Sequence, residues 1–230
     1  MDLQIVYKDD YLVAINKPHG LLIHKTKLAK DANRFAVQML RNQLGQRVYP
    51  AHRLDRKTSG LLLFSLQKEH LDACFKMFRE KMILKKYKAL VRGFTEDAGT
   101  IDYALRSENG TLQEAVTHYT TIRRYEIDLP FGKFNTSRYS LVELKPETGR
   151  MHQLRKHMAH IFHPIIGDRP HGCNKQNKLW KEQWAMTRML LHASDLSFRH
   201  PIGQDDIVLN AEYSKEFKTV LDRLNMESVI

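Results

Sequence analysis

Tyr87-Lys88-Ala89-Leu90-Val91 is the stretch on which the fold class turns. Tyr87, Ala89 and Val91 fall on one side and Lys88 and Leu90 on the other, the period of two expected of a strand in a sheet with one solvated face. Working outward, comparable runs recur at 4–7, 11–16, 60–66, 116–122, 138–144, 190–198 and 207–209. Four helical stretches are interleaved. Asp31 is placed to cap a helix that ends at Gly45. Leu71, Phe75, Phe78 and Met82 recur at helical spacing, as do Phe217, Leu221 and Leu224 behind Ser214. The fourth helix is read over 152–162. Many strands, few helices and short connections predict an α+β fold with a mixed, mainly antiparallel sheet and flanking helices. A basic stretch at 174–188 breaks the pattern and is read as a surface excursion.

Across 230 residues there are 37 Lys and Arg against 26 Asp and Glu, a net charge of +11. A folded chain so cationic has a polyanion as its natural partner, and nucleic acid leads a membrane surface because no long basic amphipathic helix stands out. The 42% hydrophobic content suffices for a core and excludes a disordered chain. No apolar run approaches the roughly 18–20 residues of a membrane helix; the longest candidate is Leu61-Leu62-Leu63-Phe64. The opening Met1-Asp2-Leu3-Gln4 lacks the basic start of a signal peptide. Cys74 and Cys173 are too few for a disulfide framework. A single domain over 1–230, without a separate N-terminal RNA-binding module, is expected in the cytoplasm.

Three stretches carry chemistry. In His52-Arg53-Leu54-Asp55-Arg56-Lys57-Thr58-Ser59-Gly60 one carboxylate lies among three cations ahead of an apolar strand. It reads as a surface turn with a local salt bridge, or as a carboxylate held ionised to act as nucleophile or base. In the fourth helix, at about 100° per residue, Arg155 falls inside the apolar arc between Phe162 and Ala159. A guanidinium turned toward a core must find an anion or snorkel along the helix edge. Asp55 is the carboxylate expected to receive it. Tyr87, behind Lys85-Lys86, is either an ordinary core tyrosine or a stacking platform for a base drawn from its helix. His152, His157, His160, His163 and His171 have poor metal-ligand spacing, so no metal is expected.

His52-Arg53-Leu54-Asp55 followed by Thr58-Ser59-Gly60 resembles the signature of the RluA family of pseudouridine synthases. Further along, Asn16-Lys17-Pro18-x-Gly20 with His24 resembles its N-terminal motif. Lys86-Tyr87-x-Ala89-Leu90-Val91-x-Gly93 resembles its tyrosine strand, and Thr148-Gly149-Arg150-x-His152-Gln153-Leu154-Arg155-x-His157 its arginine helix. Leu191-His192-Ala193 through His200-Pro201 resembles its late strand. The resemblance implies the pseudouridine synthase fold and a redox-neutral isomerisation of uridine to pseudouridine in structured RNA, with no cofactor. Asp55, Tyr87 and Arg155 match the catalytic positions, and Arg53 is the candidate to fill the space left by a flipped base. The run from His160 to Asp168, then His171-Gly172, is most similar to a tRNA-acting branch, which implies uridine 65 of tRNA. RNA contacts are expected from His52, Arg53, Arg56, Lys57, Arg150, His152, Lys175, Lys178, Lys181 and Arg188.

The alternatives are an RluA-type synthase acting on ribosomal RNA and a non-catalytic RNA-binding protein that keeps the fold. A metal-dependent phosphodiester hydrolase is disfavoured by the histidine spacing. No protein partner is implied, and a monomer is expected.

Overall fold

The computed structural model describes residues 2–25 and 33–230, so Asp31, the expected cap of the first helix, lies outside the described residues. The elements run β1 (Gln4–Lys8), β2 (Leu12–Lys17), α1 (Ala36–Leu44), β3 (Tyr49–Pro50), β4 (Ser59–Ser65), α2 (Leu71–Arg79), β5 (Leu84–Arg92) and β6 (Ala98–Asp102). They continue with β7 (Leu105–Arg106), β8 (Leu112–Gln113), β9 (Val116–Ile127), β10 (Ser137–Pro146), α3 (Gln153–His160), α4 (Asn174–Trp184), β11 (Leu191–Arg199), β12 (Asp206–Asn210) and α5 (Lys215–Glu227). Each strand read from the sequence is present. The class is α+β, and the paired strands are mainly antiparallel.

The chain divides into two compact units, one made of Met1–Lys85 with Ala193–Ser214, the other of Lys86–His192 with Lys215–Ile230. In the first, β2 pairs with β1 on one side and β4 on the other, and β3 adds to β4. Strand β4 is buried along its whole length, which is why Gly60-Leu61-Leu62-Leu63-Phe64 runs apolar instead of alternating. Gly60 takes φ +108°, and a Cβ there would stand 2.1 Å from the Ala193 carbonyl oxygen. Only glycine permits that approach of one backbone to another. Helix α1 stops at Gly45, left-handed at φ 69°, as its sequence indicates. Helix α2 differs from expectation. Cys74 and Met77 face the core, joining Leu12, Leu61 and Leu63, while Phe75 and Met82 are exposed. Of the expected stripe Phe78 does pack against this cluster, and Met82 lies beyond the helix end.

In the second unit, β10 lies between β5 and β9, with β6 outside β9. Helix α3 lays Leu154 and Met158 on Ala89, Val91, Val142 and Leu144. Leu90, on the opposite side of β5, is also buried, so this strand lacks the solvated face its alternation suggested. Its backbone is engaged as well: Leu90 N–H donates to Leu190 O at 3.1 Å, and its carbonyl accepts from Ile166 N–H at 2.9 Å.

The stretch read as a surface excursion is, over most of its length, helix α4, and it is anchored. Trp180 is fully buried, its Nε1–H donating to Tyr139 Oη on β10 at 2.9 Å, and Gln176 donates to the same oxygen at 2.5 Å. Truncating a buried tryptophan of this kind costs about 3–5 kcal/mol. Lysine-rich composition hid a helix with one apolar side.

Candidate active site

The Asp55 segment is a tied loop. Between β3 and β4 the chain turns at Asp55-Arg56-Lys57-Thr58, closed by Thr58 N–H donating to Asp55 O at 3.1 Å. The loop is bound to the end of β2. Gly20 N–H donates to Arg56 O at 2.9 Å, and Arg56 Nε donates back to Gly20 O at 3.1 Å. Lys17, fully buried, closes the junction by donating from Nζ to the carbonyls of Pro18, Leu21 and Arg56 at 3.1, 3.0 and 3.2 Å. Burial pushes its ammonium down to about 7, with Asp55 pulling the other way. Two motifs distant in sequence are thus one structure: Asn16-Lys17-Pro18-x-Gly20 holds the backbone beside Asp55. Asp55 is itself half-buried, while Arg53 and Arg56 are exposed.

His52 braces the same loop from behind. Its Nε2 accepts Leu63 N–H at 3.0 Å, and its ring stacks on Phe78 with centroids 4.5 Å apart. Burial, reinforced by the cation of Lys85, pushes its pKa down to about 3, so the ring is neutral and able to accept. The sequence placed His52 among RNA contacts; its ring also supports the fold.

In the second unit Arg155 is buried, as its place in the helical arc indicated, with 5% of its side chain exposed. Its Nε and Nη2 donate to Asp168 Oδ2 and Oδ1 at 2.7 and 2.8 Å, a two-pronged pair whose aspartate is 1% exposed. Asp168 is the carboxylate on that edge of the guanidinium. The chain delivers it through Gly167, left-handed at φ +80°, where a Cβ would lie 1.9 Å from Arg188 O. Asn177 of α4 holds the turn by accepting Gly167 N–H at 2.8 Å and donating to Asp168 O at 2.7 Å. His171 adds a weak third contact, its N–H 3.4 Å from Asp168 Oδ1. Its ring shares a 2.9 Å hydrogen bond with His152. Burial lowers the His171 pKa, Asp168 opposes that, and Arg155 and His152 add to it.

The approach to α3 is fixed by Gln153, a buried residue the sequence reading quoted but gave no role. Its Oε1 accepts from Thr148 Oγ1 at 2.7 Å and Arg150 N–H at 3.0 Å, and its Nε2 donates to Val116 O at 2.9 Å and Thr117 Oγ1 at 3.0 Å. All four capacities of the amide are used. Tyr87 is half-buried on β5 and packs against the cluster containing Leu154 and Met158. His157 is fully buried, bonded to Thr117 Oγ1 and Tyr103 O, each at 3.0 Å.

The basic residues separate by setting. Lys175, Lys178 and Lys181 are exposed along α4, with Lys178 3.6 Å from Glu182. Arg150 is exposed and donates to Glu114 O at 2.9 Å, whereas Arg188 pairs with Glu216 at 3.0 Å. Among the described residues no helix is long and apolar enough to cross a membrane.

The turn-borne Asp55, the strand Tyr87 and the helix Arg155 with its buried counter-charge are the residues on which the resemblance to a pseudouridine synthase rests. The family model for RNA pseudouridylate synthase matches residues 11–160. The chain belongs to this family, whose reaction is the isomerisation of uridine to pseudouridine in RNA. Among known proteins it is 45% identical over 239 residues to tRNA pseudouridine synthase C of Vibrio vulnificus, covering 99% of this chain and 98% of that one. It is 40% identical over 238 residues to tRNA pseudouridine synthase C of Haemophilus influenzae, covering 99% and 100%. The solved structure of human RNA Pseudouridylate Synthase Domain Containing 4 matches with TM-score 0.72 and 25% identity, over 96% of this chain and 93% of that one. Human RNA Pseudouridylate Synthase Domain Containing 1, at TM-score 0.73 and 23% identity, covers 97% and 95% and shares the fold.

Proposed function

We propose that the chain converts a uridine of tRNA to pseudouridine, uridine 65 being the position implied by its resemblance to the tRNA-acting branch. The observation that carries this reading is the end-to-end similarity to enzymes named tRNA pseudouridine synthase C. Asp55 is the reacting carboxylate, serving as nucleophile or base at the ribose or the base. The N1–C1′ bond breaks, the uracil turns, and a C5–C1′ bond forms as the C5 proton is lost and N1 is protonated. No electron donor or phosphate is consumed. Tyr87 supports the uracil face, and Arg155, oriented by Asp168, supplies the cation that keeps the reacting carboxylate charged. Arg53, exposed next to the turn, fills the space of the flipped base. The enzyme works as a monomer in the cytoplasm.

Support for the carboxylate's role comes from its setting. A reacting group must be held within a fraction of an ångström, and the three Lys17 bonds together with the Gly20–Arg56 exchange give the Asp55 backbone that restraint. The test is to map pseudouridines in tRNA and ribosomal RNA from cells lacking the protein, and to assay the purified chain on an unmodified tRNA transcript. Loss of a single tRNA pseudouridine, restored by the purified chain, is the expected result. Loss confined to ribosomal RNA would overturn the substrate assignment.

A further inference from the structure

Helix α3 ends at His160, and the chain leaves it through Phe162 at φ +64°. Phe162 N–H donates to Ala159 O at 3.0 Å and His163 N–H to Met158 O at 2.8 Å, the pattern of a helix terminus that ordinarily takes glycine. A phenylalanine there bears the steric penalty of the left-handed region. It recovers nothing by burial, because its side chain is 87% exposed. A residue that opposes its local conformation and also leaves its ring in water marks a functional constraint.

The ring borders an open cleft of about 400 Å³ lined also by Arg92, Pro164, His171 and Cys173. Among the described residues no acidic side chain lines it. The Arg92 guanidinium lies 5.4 Å from the centre of the Phe131 ring, so the cleft offers a cation already set against an aromatic face. An exposed aromatic beside a guanidinium, with no carboxylate to repel phosphate, is the combination that binds an unpaired nucleotide by stacking and charge.

We propose that Phe162 is the stacking surface of a second RNA contact, separate from the reacting uridine. An unpaired base of the substrate lies on its ring while Arg92 takes the adjoining phosphate. The proposal needs an RNA substrate, which the family supplies, and does not depend on which RNA is modified.

Phe162→Gly separates function from folding because the two effects have opposite sign. Glycine relieves the left-handed strain, so the Tm should be equal or higher. Loss of the stacking ring should weaken binding of an unmodified tRNA transcript and of a short single-stranded oligouridylate by about tenfold or more. On tRNA, KM should rise with kcat retained, and Phe162→Trp should restore binding to within about threefold. Phe162→Gly that binds both RNAs like the wild type would overturn the proposal and point to a protein partner for the ring. A fall in Tm of several degrees in both Phe162→Gly and Phe162→Asn would also overturn it, since the ring would then be holding the fold. A wild-type enzyme that leaves tRNA unmodified would refute the tRNA assignment alone, and the oligouridylate comparison would still decide the role of Phe162.

Discussion

Replacing Asp168 by Asn keeps shape and removes one charge from a pair that has almost no access to water. In the native protein both carboxylate oxygens are engaged by Arg155, at 2.7 and 2.8 Å, with 5% and 1% of the two side chains exposed. The asparagine can present one oxygen to the fork, but its amide group then faces a guanidinium N–H, donor against donor. Loss of one partner of a buried pair costs about 3–5 kcal/mol, and the surviving hydrogen bond places Asp168→Asn near the lower end, about 3 kcal/mol. Against a total of about 5–15 kcal/mol, that is a large fraction of the stability. Urea unfolding of Asp168→Asn, Arg155→Met and the double variant measures it. Because the double variant leaves no orphaned charge, its loss should fall short of the sum of the singles by about 2–3 kcal/mol. Additivity within about 0.5 kcal/mol would refute the pairing as an energetic unit. The catalytic signature is a fall in kcat with RNA affinity preserved, and Arg155→Lys should rescue poorly, since an ammonium cannot reproduce two parallel N–H donors.

Asp55→Asn should abolish isomerisation while tRNA affinity stays within a few-fold, and measurable turnover by a variant free of deamidated protein would remove Asp55 from the mechanism. Neutralising Lys175, Lys178 and Lys181 together should lower the slope of log affinity against log salt by up to about three, each lost phosphate contact contributing roughly one. An unchanged slope would show that α4 is not an RNA contact. Stability should fall on acidification, because His52 is held at about 3 in the fold against an ordinary 6.5, so the unfolded chain takes up the proton first as pH drops below 6.5. At pH 5.5 the loss from His52 alone is about 1.4 kcal/mol, with His157 shifted in the same direction. Equal urea midpoints at pH 7.5 and 5.5 would contradict it, and His52→Gln should reduce the dependence.

Strand positions were legible because each of the longer ones is bounded by turn residues and carries its own apolar run. Pairing was less so. The two-residue β7 and β8 contain too little sequence for any period to register, and β3 exists because Tyr49-Pro50 happens to meet the end of β4. Helix α4 shows a different limit. Lys175, Lys178 and Lys181 dominate its composition, and its burial rests on Gln176 and Trp180 reaching Tyr139, a residue 37 and 41 positions away. Nothing local announces that oxygen. The Asp55 loop was recognisable as a motif, yet the reason for Lys17 was not: its three acceptors are backbone carbonyls, which no side-chain pattern records.

Arg155 was placed correctly in the core for a reason that holds only inside the helix. Between Leu154 and Met158 the turn of about 100° per residue is obeyed, and the arginine follows its neighbours inward. The same arithmetic fails at Phe162, because periodicity carries no information about where a helix stops. The stop signal was Pro164, which biases the residue before it away from helical geometry and implies an end one or two residues earlier. Once the helix ends at His160, Phe162 no longer belongs to the apolar arc, and its ring turns to solvent. The chain then has eight residues, from Ile161 to Asp168, in which to reverse and return a carboxylate to the arginine it has just left. That return requires the left-handed Gly167 and the Asn177 clamp, two conditions set by tertiary contact. A buried arginine therefore announces that an anion must exist, and Asp168, brought back by the loop that follows, is one such anion.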